Sequence, residues 1–412
     1  MDHSLRVSSR YRWVILALLF FATTINYLDR IVFSVLIPII REEMNLSEQD
    51  YGNLTGAFQI AYTAGFLIAG KFIDRFGTRI GYAVSVIWWS IAAGLHALSR
   101  TPVELGIWRA MLGFGEAGNF PSAIKAVAER FPKKDRAFAT GIFNAGTNVA
   151  SMIGPPLFVA LNVRYGWRTC FVLTAASGFL WLIAWLAFYR KPGKNEFDEG
   201  DTGKKVGWFA ALRQRPTWGF ALGKFLTDPV WWFYLYWLPL YLYDVRGFDM
   251  KQIAWALPVV YLMADFGSVG GGWLSGWLMR RGWSTARARR AAMGLCACLM
   301  PVAAMAVFAP GPVLTIALVS IATAAHQGWS ANLFTTTSDA FPSDTVASVT
   351  GIGGCAGGLG GFLFSSLLPG FVITHFGYTP IFLFMGTLHL CALAGLSVLL
   401  WRPARPSQAA AR

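Results

Sequence analysis

The feature that most constrains this chain is a recurrence of apolar stretches, separated only by short charged turns, that approach or reach the length needed to cross a bilayer. A spanning helix takes about 20 largely apolar residues, and segments 11–26, 83–98, 170–189 and 381–401 come close to that or meet it. Hydrocarbon offers no partner for a bare N–H or C=O, so such stretches must be helical. Breaks at Pro, Gly and charge place helices near 12–39, 51–72, 79–98, 102–130, 137–163, 167–189, 217–243, 251–279, 290–309, 312–340, 346–375 and 380–401. The composition agrees: 55% hydrophobic and 14% charged, against roughly a quarter charged in soluble domains. The expected fold class is an all-α membrane protein with twelve transmembrane helices in two pseudo-symmetric six-helix bundles.

A formal net charge of +14 could suggest nucleic acid, but a nucleic-acid binder gathers its basic residues on one folded face. Here they punctuate the apolar segments, so the expected surroundings are a lipid bilayer and no nucleic acid. With the N-terminus inside, 25 Lys and Arg fall in cytoplasmic segments and six outside, an asymmetry that sets orientation. Both termini are then cytoplasmic, in a multi-pass protein of a bacterial cytoplasmic membrane. The polar start 1–12 leads into a retained helix and not a signal peptide. Five cysteines all lie in apolar stretches without ligand spacing, so no metal, cofactor or disulfide framework is expected. No nucleophile–base pair is visible, and an enzyme is not expected.

Residues 190–216 turn polar and basic, dividing an N-terminal bundle (1–189) from a C-terminal one (217–412) across a cytoplasmic linker. The halves resemble each other. Phe131-Pro132, Ala137 and Thr140-Gly141-Ile142 return 210 residues later as Phe341-Pro342, Ala347 and Thr350-Gly351-Ile352. Repeated membrane bundles place a substrate near the midplane, between the repeats. Glycines 351–361 crowd one helix, read either as close packing or as a hinge.

A charge in mid-span costs roughly 2.5 to 3.5 kcal/mol on insertion scales, so such residues face protein or a wet cavity. In the first span Asn26-Tyr27-Leu28-Asp29-Arg30 sets an acid beside a base, their side chains about 100° apart around the helix. In the fourth span Arg109 and Glu116 are seven residues apart, hence nearly on one stripe and about 10 Å apart along the axis. Each set reads either as an interhelical ion pair or as a proton-handling group. Shifting Glu116 by 210 lands on His326, in Ala325-His326-Gln327, a titratable group at the matching depth of the second half or a packing histidine. Lys224 and Asp228 have the spacing of a same-face ion pair and are read as structural. Asp265 has no evident partner, and its role stays open.

Between the second and third spans stands Gly70-Lys71-Phe72-Ile73-Asp74-Arg75-Phe76-Gly77-Thr78-Arg79. This stretch resembles the signature loop of the major facilitator superfamily, and Gly70, Asp74, Arg75, Gly77 and Arg79 match its pattern. The resemblance implies that Asp74 and Arg75 belong to a charge relay latching the outward-open state. The corresponding Gly272-Trp273-Leu274-Ser275-Gly276 lacks the acid, which makes gating asymmetric.

Within that superfamily, Asn26 to Arg30, Glu116 to Pro121 and Phe131-Pro132 resemble the anion:cation symporter family across essentially the whole chain. Phe225 to Pro229, Ala264-Asp265 and Ala325-His326-Gln327 lean toward its hexuronate branch. The resemblance implies proton coupling at Asp29 and Glu116. It implies substrate contact at Arg30, Tyr27 and Tyr62, with Arg109 pairing to the acids. Arg109 itself, Asn144, Thr147, Asn148, His326 and Gln327 complete the expected substrate set. Thr147-Asn148 departs from the glutamine that sugar-acid relatives can present there, which puts hydroxyl recognition in doubt. The expected function is proton-coupled uptake of a small organic anion, a hexuronate or related sugar acid, by an alternating-access monomer. The alternatives are an organic-anion or drug antiporter of the same fold and a transporter-like sensor without transport.

Overall fold

The computed structural model describes residues 9–190 and 207–401. Its helices form twelve rods, and α1 (Ser9–Met44), α2 (Glu48–Phe76) and α3 (Thr78–Leu95) make the first three. The fourth rod is broken into α4 (Pro102–Glu116) and α5 (Asn119–Arg130), and α6 (Lys133–Tyr165) and α7 (Trp167–Phe188) close the first half. After a short α8 (Trp208–Leu212), the second half runs through α9 (Arg215–Asp244), α10 (Met250–Arg280), α11 (Thr285–Ala304) and α12 (Pro312–Ala340). Its eleventh rod is α13 (Val346–Gly361) continued by α14 (Leu368–Phe376), and α15 (Tyr378–Leu399) is the last. The linker expected over 190–216 lies mostly outside the described residues.

Each expected span has its rod, several longer than hydropathy suggests because polar caps add turns outside the apolar window. α2 opens on a reciprocal capping box between Ser47 and Asp50, and α10 on another between Asp249 and Gln252. Each satisfies N–H groups that a helix start leaves bare. Among the described residues, seven stretches are long and apolar enough to cross a membrane by length and composition alone. The rod over 102–130 falls short because it is broken into helices of 15 and 12 residues, and α6, α9, α10 and α12 because polar residues and glycines lower their hydropathy.

The duplication is visible in the backbone. Gly166 ends α6 at φ +78 and Gly377 ends α14 at φ +75, at matching turns where a side chain would be strained. Two breaks matter for function. α4 stops at Glu116, and Pro121, lacking an N–H, prevents an unbroken helix from resuming at once. In the eleventh rod, residues 362–367 form a π-turn ahead of Pro369. Pro369 cannot bond the Ser365 carbonyl, which instead accepts from Trp237 Nε1 at 2.8 Å.

Tyr11 Oη donates to the Phe188 carbonyl at 3.1 Å, and Arg215 donates to the Val398 carbonyl at 3.1 Å. In each half the first and last rods therefore share one side of the molecule, called here the terminal side. The halves meet along α2–α13 and α6–α10. A Cβ on Gly70 would lie 2.4 Å from the Ala347 carbonyl, and one on Gly351 2.2 Å from that of Phe66. Only glycine permits backbones this close.

Candidate functional site

Between the halves lies a cavity with about 650 Å³ of empty space. α1 contributes Tyr27 and Arg30, α2 contributes Tyr62, and α6 contributes Asn144 and Thr147. From the second half come Lys224, Asp228 and Trp231 on α9, His326 and Gln327 on α12, and the glycine edge of α13 at Gly354 and Gly358. Toward the terminal side the floor is closed by Phe120 stacked on Phe334 at 5.3 Å and by Asn144 donating to Gln327 Oε1 at 2.7 Å.

Arg30 dominates the first-half wall. Its Nε and Nη2 donate to one oxygen of Glu116 at 3.1 and 2.8 Å. Its guanidinium lies over the rings of Tyr62, Tyr27 and Phe58 at 4.5, 4.8 and 4.9 Å. Glu116 has no exposed surface, and its second oxygen has no hydrogen-bond partner among the described residues. The break after Glu116 and the tight seating of its helix make this contact possible: a Cβ on Gly113 would stand 2.4 Å from the Phe58 carbonyl. A buried pair with one carboxylate oxygen unsatisfied is held below its full hydrogen-bonding strength.

The structure separates other residues from this group. Asp29, about 100° around α1 from Arg30, is fully buried against Thr174 of α7, and no cation among the described residues pairs with it. It does not line the cavity. Arg109, expected to pair with the acids and to meet the substrate, does not line the cavity and lies over Phe33 and Phe58 at 4.4 and 4.6 Å, with Nε and Nη1 unpartnered among the described residues. Arg109 and Glu116 do share a stripe of α4, but seven residues set them about 10 Å apart along the axis, and Glu116 pairs with Arg30 instead. Asn148 also stays outside the cavity, donating across the halves to Asp265 at 2.5 Å. Asp265 therefore has a partner that the sequence did not reveal. Its neighbour Thr147 does face the cavity.

Two features were missed or undervalued. Phe58, Tyr62 and Phe66 form an aromatic ladder on one face of α2, with centroids 5.6 and 4.7 Å apart, and their i, i+4, i+8 spacing was the available signal. The Lys224–Asp228 pair forms at 2.7 Å as the spacing predicts. It also lines the cavity opposite Arg30, where a merely structural pair was expected.

On the terminal side, Asp74 binds Lys125 Nζ at 2.7 Å and accepts the backbone N–H of Ser348 and Ala347 at 2.6 and 3.3 Å. These are the first N–H groups of α13, so a carboxylate of one half sits on a helix N-terminus of the other. Arg75 is exposed and lies over Phe76, and Arg79 donates to the Leu186 carbonyl within its own half. The part expected of Arg75 in the latch is not seen: of the two charges at 74 and 75, the acid alone crosses. At the equivalent place in the second half, Gly276 replaces the acid. There the cations cross instead, with Arg136 donating to the Ser338 carbonyl and Arg289 to the Lys133 carbonyl at 2.9 Å. Asp74→Asn should weaken this closure and leave Lys125 buried without a counter-ion. A single cysteine at Ser330, in a background free of the native five, should then react several-fold faster with an impermeant thiol reagent added from the terminal side.

The model of the Major Facilitator Superfamily matches residues 19–365. The chain belongs to that superfamily. It is 34% identical over 411 residues to the hexuronate transporter of Escherichia coli, covering 95% of each chain. It is 31% identical to the galacturonate transporter of Dickeya chrysanthemi, over 64% of this chain and 81% of that one. Among solved structures it superposes on the proton:xylose symporter XylE with a TM-score of 0.76 at 16% identity, covering 94% and 95%. The outward-conformation structure of the superfamily member FucP gives 0.73 at 14% identity, covering 94% and 99%. The protein is a membrane transporter of the major facilitator fold, not an enzyme.

Proposed function

We propose that this transporter carries a hexuronate or closely related sugar acid inward together with protons, by alternating access of the central cavity. The carrying observation is Arg30: a guanidinium in the cavity wall, within cation–π distance of three aromatic rings, whose carboxylate partner Glu116 leaves one oxygen unbonded. A substrate carboxylate can offer that guanidinium two oxygens at once, the fork geometry that Glu116, bonded through one oxygen, leaves half used. Similarity to the E. coli hexuronate transporter and the D. chrysanthemi galacturonate transporter supports the substrate class.

Proton coupling follows from electrostatics. An anion entering against an inside-negative potential climbs about 2.3 kcal/mol per charge per 100 mV. One proton cancels this, and a second makes voltage favour entry. Protonation of Glu116 removes the charge holding Arg30, and Arg30 turns to the substrate. Deprotonation on the opposite side restores the pair and expels the anion. Asp29 acts from behind: as an ion it would be a buried charge without a counter-ion, so it keeps its proton while Glu116 exchanges its own. Asn144, Thr147, Gln327 and the Lys224–Asp228 pair meet the hydroxyls.

With the termini cytoplasmic, the latch at Asp74 closes the cytoplasmic side and the cavity belongs to the outward-facing state. The test is uptake into proteoliposomes of a panel of uronates, aldonates and aromatic acids under an imposed pH gradient. Hexuronate uptake should fall as the outside is made more alkaline. Uptake of aromatic acids in preference to uronates would overturn the assignment.

A further inference from the structure

We infer that His389, buried behind the cavity wall, fixes which nitrogen of His326 carries a proton, so that His326 presents an N–H donor to the substrate. The inference deepens the reading of the cavity as a sugar-acid site and, in its consequence for substrate, rests on that reading.

His326 lines the cavity with its ring stacked on Trp231 at 5.8 Å and 15°. Its Nδ1 points away from the cavity, 3.2 Å from Nε2 of His389 on α15. His389 has no exposed surface and meets both His326 and Trp329 edge-on, each at 5.3 Å. Its own Nδ1 has no hydrogen-bond partner among the described residues.

Two neutral imidazoles can share such a contact in two ways, because each has one donor nitrogen and one acceptor nitrogen. If His326 donates, His389 must carry its proton on Nδ1, an N–H buried with nothing to accept it. If His389 donates from Nε2, only a lone pair is left bare at Nδ1. Buried N–H groups without acceptors are the rarer and costlier defect. The second arrangement therefore holds, and it leaves the proton of His326 on Nε2, the nitrogen free to face the cavity. The hydrogen bond made by one ring nitrogen decides the state of the other.

The substrate group that meets His326 is then an acceptor: a carboxylate, carbonyl or ring-ether oxygen. His389 touches no substrate and is a positioning residue.

The decisive readout is the nitrogen spectrum of protein labelled with ¹⁵N-histidine in nanodiscs. The chain has five histidines, and His326→Gln and His389→Gln assign the two signals. In the wild type both His326 and His389 should be protonated at Nε2 and bare at Nδ1. His389→Gln still offers an amide N–H to His326 and should keep its tautomer, with KM for D-glucuronate within about threefold of wild type. His389→Leu removes the donor. It should give a mixture of His326 tautomers and a KM raised roughly tenfold, with the maximal counterflow rate retained. A wild-type His326 protonated at Nδ1, or a His389→Leu protein with tautomer and KM both unchanged, would overturn the inference. An Nε2-protonated His326 in a protein that binds no uronate would uphold the tautomer and refute the substrate class.

Discussion

Glu116→Gln should abolish accumulation of hexuronate driven by a pH gradient while leaving counterflow exchange within about threefold of wild type. Glutamine keeps the size of the side chain and an oxygen toward Arg30 but carries no charge, so it imitates the protonated acid at every pH. Arg30 is then permanently available, and substrate binding loses its pH dependence. One proton per anion, moving down a gradient of about one pH unit, supports roughly tenfold accumulation, and in the variant this factor should fall to one. Paired measurements of initial exchange and of steady-state accumulation separate the two effects. Intact accumulation would remove Glu116 from the coupling.

Arg30→Ala should lower hexuronate affinity by at least about a hundredfold and abolish transport at attainable concentrations. Removing one member of a buried pair costs about 3 to 5 kcal/mol, much of it the stranded partner, and here the substrate's anchor goes too. Arg30→Lys discriminates more sharply. Lysine keeps the charge but not the planar fork, nor the stacking over Tyr27, Phe58 and Tyr62. It should still bind roughly tenfold or more weaker than wild type, as isothermal titration with D-glucuronate would register. A lysine variant of full affinity would mean that a point charge suffices and that the ring-backed guanidinium is incidental.

The fold was legible because lipid leaves few options: runs of about 20 apolar residues become helices whatever their neighbours, and the shift of 210 between Phe131-Pro132 and Phe341-Pro342 exposed the repeat. The cavity wall was partly legible for the same reason. Expensive polar residues in spans such as Tyr27, Arg30, Asn144 and His326 must face something other than lipid. What spacing could not supply was the direction of each face. Asp29 and Arg30 are adjacent in sequence, yet one is sealed toward α7 and the other opens into the cavity. Arg109 and Glu116 share a stripe of α4, but seven residues set them about 10 Å apart along the axis, and each finds nearer company. His389 left no sequence trace, since its meaning depends on a contact with a histidine 63 residues away. The pairing of Asn148 with Asp265 was hidden likewise, because it crosses between the halves.

In this mechanism the charge of Glu116 and the substrate carboxylate alternate on Arg30, one proton accompanying each exchange. It is tested most directly by the pH inside sealed proteoliposomes when hexuronate is added outside, with pH equal on both sides and voltage clamped by potassium and valinomycin. The account predicts immediate internal acidification with wild type and none with Glu116→Gln. Hexuronate entering the wild-type vesicles without any change in internal pH would contradict it.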